Sequence, residues 1–365
     1  MFMKQSIRHV VVVLACIFLL QACSEPPTAS PVGVSFISFA DSKRTAWESN
    51  APRPLETVLW FPAETGTPTE DWRAGFLLAG PHAFHASLPK TPQKFPLILL
   101  SHGTGGSAQS MAWFARGLAE AGYIVAAVNH HGNTAVEPKY LPQGFALWWE
   151  RARDLSVLLD KLIADPAFGP RIDMNRVGVA GFSLGGYTAL MLAGARTDYA
   201  QWQHYCDKAP SDSSCKLTAE ADFGMDKMKR VLDTDARARA SLARAGDNYR
   251  NERVRAAFAM APALALAFDK ASLAHISIPV SMLVGENDDQ APPLSNAALL
   301  ATQIPMAQLH EIKNGTHYMF IARCTPLGKI LHFQICTDPW TLTRSQVHHD
   351  TVAQAVAFFS VKLAP

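Results

Sequence analysis

The segment Gly181-Phe182-Ser183-Leu184-Gly185 constrains the fold of this chain more than any other. It has the pattern G-x-S-x-G and stands between a β-branched run at 176–180 and an apolar, small-residue run at 187–195. A serine in this context occupies a strained turn from strand to helix, where side chains two positions away on either side would collide. The pattern predicts that Ser183 is a nucleophile whose hydroxyl projects free of the sheet. The N–H of Leu184, at the helix start, would point toward an oxyanion formed on the attacked carbonyl.

Strands alternate with helices along most of the chain, which predicts an α/β fold with a doubly wound, mostly parallel sheet. Leu155, Leu158, Leu159 and Leu162 have helical spacing within the predicted helix 147–163. Residues 65–96 are rich in Pro, Gly and polar residues and predict a long surface excursion. Residues 197–253 are polar and predict an inserted helical cap, so the core comprises 32–196 and 254–365. Strands are predicted at 34–39, 56–61, 95–101, 123–129, 176–182, 256–260, 278–285 and 308–312, and further helices at 108–121 and 349–361.

A serine hydroxyl is a poor nucleophile at neutral pH unless a base takes its proton and a carboxylate orients that base. Asp288 follows a Val-rich strand, where residues that face a ligand belong in an open α/β sheet. Asp289 is the alternative carboxylate. His317 lies in the turn Asn314-Gly-Thr-His-Tyr, directly after the last predicted strand, and is the predicted base. His310 would lie inside that strand, and the remaining histidines after Asp288 follow later.

The loop His102-Gly103-Thr104-Gly105 follows the predicted strand 95–101, where a second oxyanion donor arises in this type of fold. The N–H of Thr104 is the predicted donor, with the N–H of Leu184 as its partner. We expect His102 to brace the loop, because it precedes the serine in the chain. The adjacent His130 and His131 would diverge, which favours a loop role over a metal site. This chemistry requires neither a metal nor an organic cofactor.

The N-terminus has the features of an exported bacterial lipoprotein. Lys4 and Arg8 precede the apolar run 10–20, which is too short to span a bilayer comfortably and matches a signal-peptide core. Leu20-Gln21-Ala22-Cys23 resembles the bacterial lipobox, which implies a signal peptide at 1–22 and lipidation of Cys23. An ordinary secretory signal with an incidental cysteine is the alternative. No Asp follows Cys23, so the resemblance favours the outer membrane, with residues 23–31 as a tether.

Four of the six cysteines, Cys206, Cys215, Cys324 and Cys336, lie beyond the signal core and the lipidation site. An oxidising compartment favours disulfides, and four cysteines allow three connectivities. Short loops close easily, which favours Cys206–Cys215 and Cys324–Cys336. Neither pair has the spacing of a metal site. Without Lys4 and Arg8, basic and acidic side chains balance, so nothing indicates a nucleic-acid partner, and the expected state is a monomer.

The motifs together resemble a known family. Ser-His-Gly-Thr-Gly-Gly, Asn-His-His-Gly-Asn, Gly-Phe-Ser-Leu-Gly-Gly, Val-Gly-Glu-Asn-Asp-Asp and Gly-Thr-His-Tyr are similar to those of the predicted dienelactone hydrolase family of the α/β-hydrolase superfamily. That family is similar to platelet-activating-factor acetylhydrolase and to bacterial polyester hydrolases. True dienelactone hydrolases use a cysteine nucleophile, and Ser183 in its place favours plain esters over lactones.

The resemblance implies an exported serine hydrolase that cleaves small-molecule or lipid esters through an acyl-enzyme. Two alternatives stay open. One is a phospholipid acetyl hydrolase or lipase-like enzyme at the membrane surface. The other is a non-catalytic binding lipoprotein on the same scaffold, against which the presence of all three predicted residues argues.

Overall fold

A computed structural model describes residues 31–91 and 93–365 of the chain. The predicted signal peptide 1–22, the predicted lipidation site Cys23 and the tether as far as residue 30 lie outside the described residues. No helix within the described residues has the length and apolar character that a membrane crossing requires.

The described strands form one twisted, mixed sheet. Its spatial order is β10-β9-β8-β7-β5-β6-β2-β1-β4-β11, with β3 paired to β4. The run from β10 to β6 is parallel, whereas β2 pairs antiparallel with both β6 and β1. The strands are β1 Val32–Thr45, β2 Pro52–Pro62, β3 Glu70–Ala74, β4 Leu77–Phe84, β5 Phe95–Ser101, β6 Ile124–Asn129, β7 Ile172–Phe182, β8 Val254–Met260, β9 Val280–Gly285, β10 Ala307–Ile312 and β11 Arg323–Cys324.

Helices cover both faces of this sheet, and each face has its own apolar core. Strands β5, β6 and β9 are buried along their whole length, which explains their nearly continuous apolar sequences. The helices are α1 Ala112–Glu120, α2 Pro142–Ala146, α3 Glu150–Ala164, α4 Leu184–Ala193, α5 Tyr199–Lys208, α6 Met225–Thr234, α7 Ala236–Leu242, α8 Lys270–Ala274, α9 Ala297–Gln303, α10 Pro326–Leu331, α11 Phe333–Cys336 and α12 Arg344–Lys362. Helices α3 and α4 pack on one face of the sheet, and α1 and α12 pack on the other. The predicted doubly wound, mostly parallel sheet is confirmed.

The predicted surface excursion at 65–96 is wrong, because part of this segment belongs to the sheet. β3 and β4 form an antiparallel hairpin, and β4 pairs with both β1 and β11. The buried His82 accepts a hydrogen bond from Trp60 Nε1 at 3.1 Å, which fastens the hairpin to β2. The many glycine and proline residues of this segment argue against strands, but pairing with neighbouring strands forms strands there nevertheless.

Between α4 and β8 the structure contains α5, α6 and α7, in the segment for which the sequence predicts a helical cap. Cys206 is bonded to Cys215 next to the end of α5, with a Cα–Cα distance of 5.3 Å. Cys324 is bonded to Cys336 across α10, with a Cα–Cα distance of 5.8 Å. The structure thus contains both predicted disulfides. The domain limits 197–253 stay a prediction.

Candidate active site

Ser183 lies at a sharp turn between β7 and α4, and its backbone has a φ of 55°. A positive φ is unusual for a residue with a Cβ. A Cβ at Gly181 would lie 2.1 Å from the carbonyl oxygen of Gly185, and a Cβ at Gly185 would lie 2.0 Å from that of Ser101. Both glycines are therefore required by close backbone approach, as the G-x-S-x-G pattern predicts.

Four backbone hydrogen bonds hold Ser183 in this strained conformation. Its N–H donates to the carbonyl of Met260 on the neighbouring strand at 2.8 Å. Its own carbonyl accepts from the N–H groups of Gly186, Tyr187 and Ala263, at 2.8, 3.2 and 3.2 Å. Strain of this kind costs on the order of 1–3 kcal/mol and persists only where the surroundings hold it. The turn thus presents the Ser183 side chain in one fixed direction.

Three side chains that follow the carboxyl ends of the parallel strands β7, β9 and β10 meet at this turn. His317 Nε2 lies 3.0 Å from Ser183 Oγ, and His317 Nδ1 lies 2.7 Å from Asp288 Oδ2. All three residues are buried, with exposed fractions of 8% for Ser183, 3% for Asp288 and 4% for His317. The ring of Phe182 packs against the imidazole at 4.8 Å between centroids. The structure therefore brings together every residue that the sequence predicts for the nucleophile, the base and the acid.

The two adjacent aspartates have different surroundings. Asp288 Oδ1 accepts hydrogen bonds from the N–H groups of Gln290 and Ala291 at 3.0 and 2.7 Å, which leaves Oδ2 for His317. Asp289 is exposed, and its carboxylate accepts only a 3.3 Å bond from the Gln290 side chain among the described residues. The contact with His317 belongs to Asp288 and not to Asp289.

The electrostatic surroundings of His317 favour its charged form. Burial lowers the pKa of His317, whereas the Asp288 carboxylate raises it through its charge and its hydrogen bond. Glu220 and Asp289 add further negative potential, so that the pKa of His317 is raised above its ordinary value. An imidazole in this environment can accept the Ser183 proton and stabilise the resulting positive charge.

Two backbone N–H groups near the serine, those of Thr104 and Leu184, are the predicted oxyanion donors. Leu184 begins α4, and its N–H has no acceptor within the helix. The loop 102–105 passes directly beside Ser183, since a Cβ at Gly103 would lie 3.4 Å from the serine Cβ. Within residues 31–91 and 93–365, nothing accepts a hydrogen bond from the N–H of Thr104 or of Leu184. Leu184 directly follows the nucleophile and Thr104 lies in the neighbouring loop, so the assignment of these two N–H groups as oxyanion donors stays a prediction.

Comparison with known proteins agrees with this geometry. Residues 80–148, which include the loop 102–105, match the family described as platelet-activating factor acetylhydrolase, isoform II. Cutinase est2 from Thermobifida alba is 29% identical over 149 residues, which cover 40% of this chain and 46% of the cutinase. Cutinase 2 from Thermobifida cellulosilytica is 31% identical over 149 residues, which cover 40% of this chain and 53% of the cutinase. The match spans about half the length of these curated relatives.

One solved structure matches almost the whole chain. The ferulic acid esterase from Streptomyces cinnamoneus superposes with a TM-score of 0.62 at 21% identity, covering 93% of this chain and 92% of the esterase. This chain has the α/β-hydrolase fold. The predicted α/β-hydrolase fold is thereby confirmed by the sheet order, the turn at Ser183 and this superposition together.

A buried arginine lies behind the loop 102–105, which we call the oxyanion loop after its predicted role. Arg151 Nη1 donates to the carbonyl of His102 at 2.6 Å, and Nη2 donates to the carbonyl of Gly103 and to Asn133 Oδ1, both at 3.2 Å. Asn133 Oδ1 also accepts from the N–H of Gly105 at 2.6 Å. Burial lowers the pKa of Arg151 to about 9, while Asp154 raises it, so the guanidinium stays protonated at neutral pH. The loop is thus fixed from behind by charge-assisted hydrogen bonds.

The histidines of this loop and of the neighbouring turn have structural partners. His102 Nδ1 donates to the Gly103 carbonyl at 2.7 Å, and its Nε2 accepts from the N–H of His130 at 3.2 Å. Burial, and then the neighbouring Arg151 and His130, lower the pKa of His102, so the ring is neutral. His130 bridges Ser101 and Asp154. The structure places His102 as a brace of the loop, and the two rings of the His130-His131 pair have separate partners.

The helical segment between α4 and β8 reaches the site through Glu220. A Cβ at Gly105 would lie 2.6 Å from Glu220 Cβ, and Glu220 Oε1 accepts from the Tyr318 hydroxyl at 2.9 Å. Burial, and then Glu220, raise the pKa of Tyr318 well above its usual range. Tyr140 donates its hydroxyl to the Gly105 carbonyl at 2.7 Å beside the same carboxylate. This segment therefore packs against the oxyanion loop and places the Glu220 carboxylate beside it.

Sequence reasoning missed Arg151, Asn133 and Glu220 as residues of the site. For Arg151 a signal exists, because Arg151 and Asp154 stand at helical spacing before Leu155, on the apolar face of α3. Charged residues on a buried face require partners. Glu220 lies in a polar segment whose position over the site depends on tertiary packing, so the sequence carries no signal for it.

Proposed function

We propose that this chain is an exported serine hydrolase that cleaves carboxylic esters through an acyl-enzyme. The observation that supports the proposal most is the continuous contact from Asp288 through His317 to Ser183. Cutinases and a ferulic acid esterase among its relatives agree with ester substrates. A small-molecule ester and no cofactor suffice for this chemistry.

The mechanism begins with proton transfer. Ser183 Oγ attacks the ester carbonyl while His317 Nε2 takes its proton. Asp288 holds the imidazole with its proton on Nδ1 and stabilises the imidazolium that forms. The N–H groups of Thr104 and Leu184 donate to the oxyanion of the tetrahedral intermediate.

The second half of the cycle reverses these roles. His317 gives its proton to the leaving alcohol, and the acyl group stays bonded to Ser183 Oγ. A water molecule then attacks the acyl carbonyl while His317 Nε2 takes the proton of the water. Collapse of the second tetrahedral intermediate releases the acid and returns the proton from His317 to Ser183.

Paired variants test this proposal. Ser183→Ala and His317→Ala should each lower turnover of a p-nitrophenyl short-acyl ester by several orders of magnitude, because each removes a member of a unit that acts together. His349→Ala is the matched control, since the His349 side chain is 79% exposed and, among the described residues, pairs only with the neighbouring Asp350. Unchanged turnover in Ser183→Ala would refute the proposal.

A phospholipid acetyl hydrolase is the second candidate. It is favoured by the match of residues 80–148 to the acetylhydrolase family, since that segment includes the oxyanion loop. Turnover of short-acyl phospholipids well above that of soluble esters of the same acid would select it. A non-catalytic binding lipoprotein is less well supported, because the serine, the base and the acid are in contact.

We further propose that the mature chain is a monomer bound to the bacterial outer membrane by lipid on Cys23. The lipobox-like Leu20-Gln21-Ala22-Cys23 and the two disulfides support this location. Globomycin, which blocks the lipoprotein signal peptidase, should leave the precursor uncleaved. Normal maturation under that block would contradict lipidation at Cys23.

A further inference from the structure

Five large apolar side chains stand in solvent on one short segment that follows the site. Leu327, Ile330 and Leu331 have the i, i+3, i+4 spacing that places them on one face of α10. Their exposed fractions are 63, 74 and 64%, and those of Phe333 and Trp340 are 61 and 106%. We call these five residues the apolar patch. Soluble proteins rarely expose apolar side chains in such density without a partner.

The patch stands on a rigid support. The bond between Cys324 and Cys336 closes the loop that carries α10 and α11. Arg344 is buried beneath it, where it donates to the carbonyls of Ala322 and Ile335 at 3.2 and 2.9 Å and binds Asp338 at 2.8 Å. The disulfide and Arg344 therefore hold in place the segment from which these apolar side chains project into solvent.

Exposed basic residues accompany the patch, and its nearest acidic neighbour in the sequence, Asp338, is paired with Arg344. Lys329 and Arg323 are exposed, and no Asp or Glu occurs between residues 321 and 337. Arg73 and Arg323 both stand opposite Leu78, on the two strands beside β4, so their side chains leave the same face. Exposed Leu, Ile, Phe and Trp together with Lys and Arg are the composition of a surface that enters the interface of an anionic membrane.

We propose that the apolar patch docks on an anionic lipid surface, with Arg73, Arg323 and Lys329 at the headgroups. A second copy of this chain fits less well, because a symmetric contact between two such patches would oppose like charges. Leu327, the first residue of the patch, follows His317 by ten residues, so it lies within about 35 Å of the site even for a fully extended chain. Docking there would hold the catalytic edge close to lipid, independently of any anchor at the N-terminus.

Trp340 provides a direct probe. The full chain is reconstituted into vesicles of phosphatidylcholine and phosphatidylglycerol, with or without brominated acyl chains that quench tryptophan by contact. The Trp340 emission is the wild-type signal minus that of Trp340→Phe. We expect brominated lipid to remove most of this emission. We also expect Leu331→Ser with Phe333→Ser to restore it, because the patch then loses its apolar contact.

Val361→Ser is the matched control, since Val361 is 67% exposed but lies at the far end of α12. This variant should be quenched like the wild type. Equal Trp340 emission in brominated and plain vesicles would overturn the proposal. Equal quenching in vesicles of phosphatidylcholine alone would overturn the assignment to an anionic surface. A Trp340 emission that is unquenched but shifted to the blue, together with a dimer in cross-linking, would assign the patch to a second copy.

A different observation concerns the peptide unit between Gly103 and Thr104. Its carbonyl oxygen accepts three hydrogen bonds, from His102 Nδ1 at 2.7 Å, from Arg151 Nη2 at 3.2 Å and from the N–H of Gly106 at 3.2 Å. In a planar trans peptide the N–H points opposite to the C=O, so donors that fix the carbonyl also aim the Thr104 N–H. A cation on the carbonyl polarises that N–H as well.

We propose that Arg151 is a positioning residue that aims the Gly103–Thr104 peptide at the oxyanion. This proposal rests on the proposed ester hydrolysis. Arg151→Met should lower kcat by about 10²–10³, as loss of one oxyanion donor does, with little change in KM. Arg151→Lys should recover part of the loss, since it keeps the charge without the forked contacts. Arg153→Met is the matched control, because Arg153 lies on the same helix and binds Glu150 at a partly exposed position.

A boronic acid separates positioning from a general structural role. Boron bonded to Ser183 Oγ is tetrahedral and carries an oxygen in the oxyanion position. Its affinity should fall in Arg151→Met in proportion to kcat/KM, whereas a merely destabilised protein would bind it normally once folded. If Ser183→Ala abolishes turnover while Arg151→Met leaves kcat unchanged, positioning by Arg151 is refuted and the proposed function stands. Unchanged turnover in Ser183→Ala would instead refute the proposed function.

Discussion

Replacement of Asp288 by Asn converts one carboxylate oxygen into an NH₂ group and so tests the hydrogen bond between Asp288 and His317. Asp288 Oδ1 accepts from two backbone N–H groups, at 2.7 and 3.0 Å, while Oδ2 accepts from His317 Nδ1 at 2.7 Å. In the variant only the amide oxygen can face the two N–H donors. The amide NH₂ must then face His317, which forces Nδ1 to become an acceptor and places the ring proton on Nε2, toward Ser183.

An imidazole with its proton on Nε2 cannot accept the Ser183 proton. Loss of the orienting carboxylate through this wrong tautomer can lower kcat by up to about 10⁴, equivalent to about 5 kcal/mol of transition-state stabilisation. KM should change little, because Asp288 is buried behind His317 and makes no contact with substrate. Steady-state kinetics on a p-nitrophenyl ester measure both constants, and circular dichroism checks that the fold persists.

Asp289→Asn is the matched control. The Asp289 side chain is exposed and contacts only Gln290 among the described residues, so its loss should change kcat by less than about tenfold. The reverse ranking of the two variants would assign the acid to Asp289. Equal, small effects in both variants would refute the claim that an aspartate orients His317.

Three further predictions follow from the same geometry. Because the pKa of His317 is raised and only its neutral form is a base, kcat/KM should rise with pH through a midpoint above the ordinary histidine pKa. Glu220→Gln removes a negative charge and should move that midpoint to lower pH. A midpoint that stays in place or moves upward would contradict the electrostatic account. Gly185→Ala should abolish activity and disturb folding, since the new Cβ would lie 2.0 Å from a backbone oxygen. Gly224→Ala is the control: its new Cβ would have no atom within 4 Å, so kinetics and Tm should stay unchanged. Replacing both cysteines of Cys324–Cys336 by Ser should lower the free energy of unfolding by about 3 kcal/mol in denaturant titrations, and an unreduced peptide map that links Cys206 to Cys324 would contradict the pairing.

The sequence predicts the core of this fold well, because strands that are buried on both faces of the sheet have short, nearly continuous apolar sequences. It also predicts the positions of Ser183, Asp288 and His317, since each follows a strand end. The hairpin of β3 and β4 could not be predicted, because its pairing with β1 and β11 depends on distant partners. The contact of Glu220 with the oxyanion loop depends in the same way on the packing of the helical segment.

Labelling by a fluorophosphonate tests the central claim most directly, because this reagent bonds only to a serine that its own active site activates. Intact-mass measurement should find one adduct per chain, and peptide sequencing should place it on Ser183. His317→Ala should abolish the adduct while His349→Ala keeps it, since His317 is the histidine that contacts Ser183 Oγ in the described part of the chain. An unlabelled folded wild type, or an adduct on another serine, would contradict the assignment of Ser183 as the nucleophile.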